Sequence, residues 1–436
     1  MNSKKQFPIL TVLTSGLYPF LHFYNSNLYL ASSWQQLAFL VGLCFVFPIV
    51  IVLLTPLFFK IKSFQPLEKY KLTVINLVFF IGLLGFLIFH YNKKEMLLAL
   101  TVSGIIGLLV YKHLKKIILL QFLLAVMSII TLIPKLHFSF YQNNNEWVEK
   151  SPAILEANLK TKPNIFVIQP DGYVNIAELN KAPYSYDNSY FENWLNQNDF
   201  KSYKNFRSNY YSTLTSNSSL FAMKHHYYSN TNKNTLKTHN ANAVIMGKDN
   251  AVLKILKNND YKSYLFTDNS YFLVDREPLF FDFCNVPMKK VLYYDNGRVN
   301  GIDIVHDFKL VLDTLQKKNN FVFIEKTIPS HIMYKESLSR GKDQERLNYL
   351  KRLDLANNWL KELITEINAF DDNAMIIIVA DHGGFVGLDF TLEAVNRRLD
   401  SLETISAFSS MLSIKSVSST HMTLPTKRIV DISVVA

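Results

Sequence analysis

The chain of 436 residues contains only two cysteines, Cys44 and Cys284, and they fall in different parts of the sequence. Cys44 lies within a long apolar run, whereas Cys284 lies in the more polar part that follows. Neither part therefore contains a pair of cysteines that can form a disulfide. We expect the folded second part to depend on its apolar core for stability.

The first 140 residues lack arginine altogether and contain only two acids, Glu68 and Glu95, against 12 lysines. This part carries a net charge of +10 out of the chain's total of +11. The remainder, with 34 basic and 33 acidic residues, is nearly neutral. The basic balance is a property of the apolar part, so it does not indicate a nucleic-acid partner.

Five apolar runs precede residue 136, at roughly 7–24, 35–59, 72–90, 96–111 and 117–134. Each approaches the roughly 20 residues that cross a hydrocarbon core, although the first and fourth are near the short limit. No acid or arginine falls within a run, which disfavours a transporter that couples to protons or ions. No small-residue cleavage site follows the first run, so we expect a membrane span there rather than a signal peptide.

The lysines between the runs predict the orientation of these spans. If the lysines at 4–5, 60–71 and 112–116 are cytoplasmic, nine lysines lie inside and three lie outside. This is the asymmetry that the positive-inside rule favours. Five spans that start inside end outside, so the sequence predicts a multi-pass protein of the cell (inner or cytoplasmic) membrane, with everything after about residue 140 extracytoplasmic.

We expect three parts: a transmembrane domain of five helices over 1–137, a connecting segment over 138–162, and an α/β domain over 163–436. The connecting segment is either a plain linker or an amphipathic helix in the membrane interface. In the α/β domain, strand-like segments alternate with helix-like ones, which predicts a largely parallel sheet with helices on both faces. The predicted strands are 164–169, 243–246, 262–267, 320–325, 374–380 and a last one around 405–414, and the predicted helices are 188–197, 212–224, 249–258, 301–317 and 343–368.

Chemically versatile residues follow three of these predicted strands. Asp171–Gly172 follows the first strand, and Asp381–His382–Gly383 follows the strand at 374–380. Since the carboxyl ends of parallel strands share one edge of a sheet, the two acids can converge on one cation. Carboxylate and imidazole ligands suit Zn²⁺ or Mn²⁺. His331 leaves the sheet after the strand at 320–325, where it can bind phosphoryl oxygens or act as an acid or base.

A candidate nucleophile lies in the hydroxyl-rich segment that begins at Ser212 and includes Thr213 and Thr215. Such a cluster at a helix start is first of all a capping pattern. A helix N-terminus also attracts an anion through its free N–H groups. A hydroxyl there that ligates a metal ion has a lowered pKa and can attack a bound phosphoryl group, so capping and catalysis are compatible.

Together, Asp171–Gly172, the hydroxyl-rich helix start about 40 residues later, Pro329-x-His331 and the late Asp381–His382–Gly383 resemble the sulfatase-like branch of the alkaline phosphatase superfamily. With five preceding spans, the chain is most similar to its lipoteichoic acid synthase and phosphoethanolamine transferase group. The resemblance implies an alkaline phosphatase-like fold and a membrane lipid or lipid-linked glycan as substrate. It also implies a two-step transfer or hydrolysis of a phosphodiester through a phosphothreonine. The implied residues are Thr213 as nucleophile, His331 for substrate, and Asp171, Thr213, Asp381 and His382 for a divalent metal (Mn, Zn or Mg), with a second ion left open.

Some features depart from this pattern. The segment Cys284–Asn285–Val286–Pro287 does not fit the formylglycine motif of classical sulfatases, so a sulfuric ester hydrolase is the least favoured alternative. Glu325 stands where many relatives have a histidine, and the C-terminus is short. These departures keep open a catalytically inert domain that binds an envelope glycan or has a structural role. Weaker site candidates are Glu325, Asn209 and the late His421.

Overall fold

The computed structural model describes residues 7–28, 33–89, 92–141, 150–225, 241–293 and 302–417, with the backbone alone at 138–141 and 241–242. Contacts within the chain divide it into two compact units. The first, called the helical unit here, comprises Met1–Asn144 with Leu273–Arg276 and Val291–Asn296. The second, called the α/β unit, comprises Asn145–Phe272, Glu277–Lys290 and Gly297–Ala436.

The helical unit is built from long helices that coincide with the five predicted apolar runs. Their bounds are Pro8–Asn27, Trp34–Phe58, Lys71–Leu87, Lys93–Leu109 and Leu114–Tyr141, with a π-helical turn at Gly42–Val46 and 3₁₀ turns at Lys62–Tyr70 and Tyr111–His113. By length and composition, three described helical segments can cross a membrane: Trp34–Phe58, Lys62–Leu87 and Tyr111–His137.

This count differs from the five predicted spans for two physical reasons. The helix Lys93–Leu109 has only 17 residues, fewer than a typical span. The helix Pro8–Asn27 contains several polar residues, among them the buried Thr11, Thr14 and Ser15, and these lower its mean hydropathy. The helix that starts at Leu114 continues to Tyr141, past the predicted end of the transmembrane domain. Residues 142–149 of the predicted connecting segment lie outside the described residues, and a short helix follows at Pro152–Leu155.

Buried amides connect helices within the helical unit. Asn76 Nδ2 donates to Gln121 Oε1 at 2.9 Å, and Gln121 Nε2 donates to Asn76 Oδ1 at 2.8 Å. Asn76 Nδ2 also donates to the carbonyl oxygen of Thr11 at 2.6 Å. These contacts link three helices through hydrogen bonds that satisfy polar groups which would otherwise be buried without partners.

The α/β unit contains a seven-stranded sheet. Its strands are β1 (Ile165–Pro170), β2 (Phe200–Ser202), β3 (Lys262–Thr267), β4 (Phe283–Cys284), β5 (Asn320–Lys326), β6 (Met375–Val379) and β7 (Leu412–Lys415). The order is β2-β7-β6-β1-β5-β3-β4. β6, β1, β5, β3 and β4 run parallel, whereas β7 is antiparallel to β6 and β2. The predicted class, a helical N-terminal part followed by an α/β unit with a largely parallel sheet, is confirmed.

The helices of this unit match most of the prediction. They are Ile176–Leu179, Ser189–Gln197, Thr213–Ala222, Ala241–Ile245, Ala251–Asn258, Ile304–Leu312, Lys342–Phe370, Glu393–Asn396 and Ser401–Phe408, with 3₁₀ turns at Met288–Lys290 and Glu336–Leu338. The strand predicted at 243–246 is wrong, because the helix Ala241–Ile245 occupies it. A short buried apolar run does not distinguish a strand from a helix. The last strand covers only 412–415, because a capping box of Asp400 and Glu403 starts a helix at Ser401.

The parallel centre of the sheet positions the candidate site. β1 lies between β5 and β6, and its residues Phe166 and Ile168 are fully buried, as are Ile376 and Ile378 of β6. The helix Lys342–Phe370 contributes Leu360 and other apolar residues to the same core. The chain therefore leaves β1, β5 and β6 at one edge of the sheet, on a tightly packed base.

Candidate metal centre

The chain turns sharply at Asp171, directly after β1. The Asp171 amide still donates to the carbonyl oxygen of Lys326 at 2.9 Å, which extends the pairing with β5 by one residue. Gly172 then has φ +67°, and a Cβ atom there would lie 2.7 Å from the carbonyl carbon and oxygen of Ser330. Glycine is required at this position because the turn has positive φ and passes very close to the Ser330 backbone.

Asp381 is the second residue after β6 and is almost fully buried, with an exposed fraction of 3%. Its Oδ1 atom accepts hydrogen bonds from the amides of Gly172 at 3.1 Å and His382 at 3.0 Å. Its Oδ2 atom accepts none from the part of the chain that the structure describes. A buried carboxylate oxygen without a hydrogen-bond donor indicates a position at which a cation can bind.

The orientation of His382 is fixed by its own turn. Its Nδ1 atom lies 2.8 Å from the carbonyl oxygen of Gly383, and a carbonyl can only accept, so Nδ1 carries the hydrogen. In the neutral ring, Nε2 therefore carries the lone pair, as in many metal-binding histidines held by a backbone carbonyl. Nε2 lies 3.4 Å from Asp171 Oδ1 and 3.4 Å from Asp381 Oδ2.

Thr213 is the first residue of the helix Thr213–Ala222. Its Oγ1 atom lies 3.4 Å from Asp171 Oδ1 and 3.5 Å from His382 Nε2. Asn217, one turn later, donates through Nδ2 to Gln169 Oε1 on β1 at 2.8 Å and to the carbonyl oxygen of Thr213 at 3.0 Å. The helix start is thus attached to the strand that ends at Asp171.

These groups fit a divalent metal ion. Asp171, Asp381 and His382 each offer one ligand atom, and these three atoms lie within 4.8 Å of one another. Four atom pairs among the three residues and Thr213 are 3.4–3.5 Å apart. Ligands at 2.0–2.1 Å in a tetrahedral site are separated by about 3.3–3.4 Å. The spacing of these four side chains therefore suits a shared cation better than a set of direct hydrogen bonds.

The pKa values reflect the crowding of buried charge. Burial, together with the neighbouring Asp381 carboxylate, raises the pKa of Asp171 to about 7. Burial opposes the charged form of His382, but the carboxylates of Asp381 and Asp171 raise the pKa of that imidazole above its ordinary value. Two carboxylates buried side by side repel each other, and a bound divalent cation removes that repulsion.

His331 lies beside this cluster. Its ring centroid is 6.0 Å from that of His382, and its Nδ1 atom contacts the carbonyl oxygen of Ile332. Thr391 Oγ1 lies 3.2 Å from the same Nδ1. Burial and the nearby His382 lower the pKa of His331 to about 4, so its ring is neutral near pH 7 with Nδ1 protonated and Nε2 free of hydrogen.

The weaker candidates are placed as follows. Glu325, near the end of β5, is buried and accepts hydrogen bonds from Thr267 Oγ1 at 2.7 Å and Asn269 Nδ2 at 3.2 Å. Burial, with the nearby Asp268 carboxylate, raises its pKa well above the ordinary value. Asn209 is exposed. His421 lies outside the described residues.

The structure also distinguishes Thr213 from Thr215. Thr215 Oγ1 lies 2.7 Å from Ser212 Oγ and donates to the Ser212 carbonyl oxygen at 3.0 Å, so it takes part in local hydrogen bonding at the helix start. Thr213 is the threonine that lies beside the acids and the imidazole.

No protein-family model matches the chain, and no curated protein sequence is significantly similar to it. Solved structures do resemble it. EptA, a lipooligosaccharide phosphoethanolamine transferase from Neisseria meningitidis, is 13% identical, with 94% of this chain and 88% of that chain covered and a TM-score of 0.39. The lipoteichoic acid synthase LtaP from Listeria monocytogenes is 16% identical, with 63% and 71% covered and a TM-score of 0.41.

The C-terminal periplasmic domain of EcEptC from Escherichia coli is 13% identical, with 59% of this chain and 74% of that chain covered and a TM-score of 0.39. The sequence motifs and the structural comparison thus name the same group of proteins. With TM-scores below 0.5, this likeness assigns neither an activity nor a residue role to the chain.

Proposed function

We propose that the chain is a membrane-anchored, metal-dependent transferase or hydrolase that acts on a phosphodiester through Thr213. The observation that carries this proposal is the position of Thr213 Oγ1, 3.4–3.5 Å from two of the buried ligand candidates, Asp171 and His382. A threonine hydroxyl at a helix N-terminus, among groups that suit a cation, is well placed to attack an anionic electrophile.

Asp171, Asp381, His382 and Thr213 are the residues that we propose hold the cation. A divalent ion, when bound there, supplies Lewis acidity to a phosphoryl oxygen and lowers the pKa of the threonine hydroxyl. Thr213 Oγ forms a bond to phosphorus while the bond between phosphorus and the leaving alkoxide breaks. The hydroxyl proton is released to water, and the alkoxide takes a proton from water.

In the second step, an acceptor hydroxyl or water forms a bond to phosphorus while the bond from phosphorus to Thr213 Oγ breaks, which regenerates the threonine. We assign His331 to the substrate side of this reaction. Its neutral ring, with Nδ1 donating to Ile332, leaves Nε2 as an acceptor for a hydrogen bond or proton from an incoming hydroxyl. This is why we favour His331 as a base or acceptor over His331 as an acid.

The spacing of the four side chains favours Zn²⁺ over Mg²⁺. Mg²⁺ requires octahedral geometry with bonds of 2.0–2.1 Å, which places adjacent ligands about 2.9 Å apart. The four pairs at 3.4–3.5 Å are wider than that and correspond to a tetrahedral set. One imidazole among the ligands also suits Zn²⁺.

We propose a lipid or lipid-linked glycan of the cell envelope as substrate. Three helical segments suited to cross a membrane support membrane anchoring. With the five spans that the apolar runs predict over 1–137, the lysine distribution supports an extracytoplasmic catalytic domain over 163–436. In that arrangement the catalytic residues face envelope components and not cytoplasmic ones.

The test uses the full chain in lipid nanodiscs, with bis(p-nitrophenyl) phosphate as the reporter and Mn²⁺ or Zn²⁺ added. We expect metal-dependent release of p-nitrophenolate that Thr213→Ala abolishes. Thr215→Ala is the matched control, because it removes a hydroxyl that bonds only within the helix start. Turnover of Thr213→Ala at the wild-type rate would contradict the nucleophile.

The same preparation separates the alternatives. Hydrolysis of p-nitrophenyl sulfate without turnover of the phosphodiester would instead support a sulfuric ester hydrolase. Absence of both bound metal and turnover would support an inert envelope-binding domain.

A further inference from the structure

The long helix Lys342–Phe370 presents three polar side chains along one face next to the candidate metal centre. Glu345, Tyr349 and Arg352 are spaced i, i+4 and i+7, so they lie on the same side of the helix. Glu345 and Tyr349 are almost completely buried, with exposed fractions of 1% and 0%. Buried polar groups on a helix otherwise built into an apolar core need partners, and these three find them in the backbone of the site loops.

Tyr349 bonds to the turn that follows Asp171. Its hydroxyl donates to the carbonyl oxygen of Gly172 at 2.9 Å and accepts from the amide of Val174 at 3.1 Å. The other side of the same turn contacts a metal-ligand candidate, because the Gly172 amide donates to Asp381 Oδ1 at 3.1 Å. The Tyr349 side chain thus restrains the turn at Gly172, which directly follows Asp171 and donates a hydrogen bond to Asp381.

Tyr349 also packs against the turn that follows His382. A Cβ atom on Gly384 would lie 2.4 Å from Cε2 of the Tyr349 ring, so the aromatic ring occupies the space that glycine leaves free. The hydroxyl and the ring of one residue therefore contact the turns on both sides of the cluster.

Arg352 binds the turn that carries His331. Its Nε atom donates to the Pro329 carbonyl oxygen at 2.6 Å, and its Nη2 atom donates to the His331 carbonyl oxygen at 3.0 Å. Glu345 holds the next part of this loop, since its Oε2 atom accepts from the Met333 amide at 3.1 Å. The turn with His331 is therefore held from the same helix face as the turn with Asp171.

We propose that Tyr349 and Arg352 are positioning residues, with Tyr349 fixing the geometry of the metal ligands and Arg352 fixing His331. The proposal rests on the proposed metal centre and reaction. The two residues on one helix face have separable roles. Loss of the Tyr349 hydroxyl weakens metal binding, whereas loss of the two hydrogen bonds from the Arg352 guanidinium group impairs turnover at saturating metal.

The metal arm of the test compares Tyr349→Phe with wild type by titration of the full chain in nanodiscs with Mn²⁺ and Zn²⁺ against a fluorescent chelator. Groups that orient metal ligands from outside the coordination sphere typically contribute 10–100-fold to affinity, and we expect a loss of that size. The matched control is Tyr261→Phe. Tyr261 is also a buried tyrosine, and its hydroxyl donates to the Pro163 carbonyl oxygen at 2.8 Å, ahead of the amino end of β1.

The catalytic arm compares Arg352→Lys with Arg346→Lys, six residues apart on the same helix. Arg346 also donates to two backbone carbonyl oxygens, those of Tyr184 at 2.7 Å and Ser185 at 3.3 Å, outside the cluster. A charged hydrogen bond contributes about 1.5–3 kcal/mol, which corresponds to a loss of about tenfold or more in kcat/KM for Arg352→Lys. We expect its metal affinity to be unchanged, and Arg346→Lys to keep both properties.

The outcomes separate this inference from the proposed function. A wild-type protein that binds metal, with Tyr349→Phe binding equally well or Tyr261→Phe weakened as much, would overturn the role of Tyr349. Equal kcat/KM for the two arginine variants would overturn the role of Arg352. A wild-type chain that binds metal but turns over no phosphodiester would contradict the proposed reaction and the Arg352 assignment, while the metal titration would still decide the role of Tyr349. A wild-type chain that binds no metal would overturn both the metal centre and the positioning roles.

Discussion

Thr213 Oγ1 lies 3.4 Å from Asp171 Oδ1, although the two residues are 42 positions apart in the chain. The contact forms because the helix that starts at Thr213 is bonded through Asn217 to Gln169, the last residue but one of β1. The strand delivers the carboxylate and the helix delivers the hydroxyl. The candidate nucleophile and the candidate metal site are thus one structural arrangement.

Asp381→Asn should abolish metal binding without disrupting the turn. The variant keeps an acceptor at Oδ1 for the amides of Gly172 and His382 but removes the charge. We expect thermal unfolding in EDTA at the wild-type temperature or above, because a buried negative charge is lost, and no increase in that temperature on adding Mn²⁺ or Zn²⁺.

Asp282→Asn is the control, since Asp282 also accepts a backbone amide, that of Ser263, away from the cluster. It should keep the metal-dependent increase in unfolding temperature. An undiminished increase in Asp381→Asn would exclude Asp381 as a ligand.

Gly172→Ala should weaken metal binding more than its backbone strain alone explains. Gly172 has a positive φ of +67°. Gly341 also has a positive φ, +87°, but has open space where a Cβ atom would be. Gly341→Ala should cost about 1–3 kcal/mol of stability, because its φ of +87° and ψ of 159° form a backbone conformation adopted almost only by glycine, and should leave metal affinity unchanged. Gly172→Ala should cost more and reduce metal affinity, because the new Cβ atom collides with Ser330 beside Asp171. Equal effects of the two substitutions on stability and metal affinity would contradict a specific role of the close contact between Gly172 and Ser330 in metal binding.

Much of the site could be predicted because its residues directly follow buried strands. The apolar residues of β1, β5 and β6 mark the strands, and Asp171, His331 and Asp381 follow at or shortly after their ends. Parallel pairing then requires them to leave at one edge of the sheet. Thr213 could be predicted for another reason, because clusters of hydroxyl side chains are typical of helix starts.

Other features gave no such signal. Tyr349 and Arg352 lie within a helix of 29 residues, where sequence alone does not show which polar residues turn inward. The spacing of Glu345, Tyr349 and Arg352 places them on one face of the helix. This spacing identifies inward-facing polar residues only when the buried apolar positions of the helix are known. β2 and β4 have three and two residues, too few to establish a period of two. The apolar run at 243–246 was ambiguous, and the tertiary structure made it helical.

The stability of the helix Ser401–Phe408 should depend on pH through Glu403. Arg397 donates to both carboxylate oxygens at 2.7 Å, and this pairing, with the Asp400 amide, lowers the pKa of Glu403 to about 2 from its ordinary 4.5. Because the folded-state pKa is depressed, the stabilisation is present above about pH 4.5 and is lost as pH falls toward 2. This helix supports the site, since the Ala407 carbonyl oxygen accepts the Gly383 amide at 2.9 Å.

The measurement is the difference in unfolding temperature between wild type and Glu403→Gln from pH 7 to pH 3. It should be largest at neutral pH and shrink on acidification. Glu366→Gln, which breaks a single surface ion pair with Lys309, should have little effect at any pH. A difference for Glu403→Gln that grows on acidification would contradict the assignment.

The predicted orientation can be tested by labelling with a membrane-impermeant maleimide. Starting from a chain in which both cysteines are replaced by serine, single cysteines are introduced at the exposed Lys204 of the α/β unit and the exposed Lys115 of the helical unit. In right-side-out vesicles, Lys204→Cys should react at once and Lys115→Cys only after permeabilisation. The reverse pattern would place the α/β unit in the cytoplasm and contradict an envelope substrate.

The central claim is that Thr213 accepts the phospho group. The most direct measurement is peptide mass spectrometry of the metal-loaded full chain, quenched with acid during turnover of bis(p-nitrophenyl) phosphate, with Thr213→Ala and Thr215→Ala treated in parallel. We predict a covalent phosphoryl adduct on Thr213 in wild type and Thr215→Ala, and none in Thr213→Ala. Turnover that continues in Thr213→Ala, or an adduct on another residue, would contradict the account.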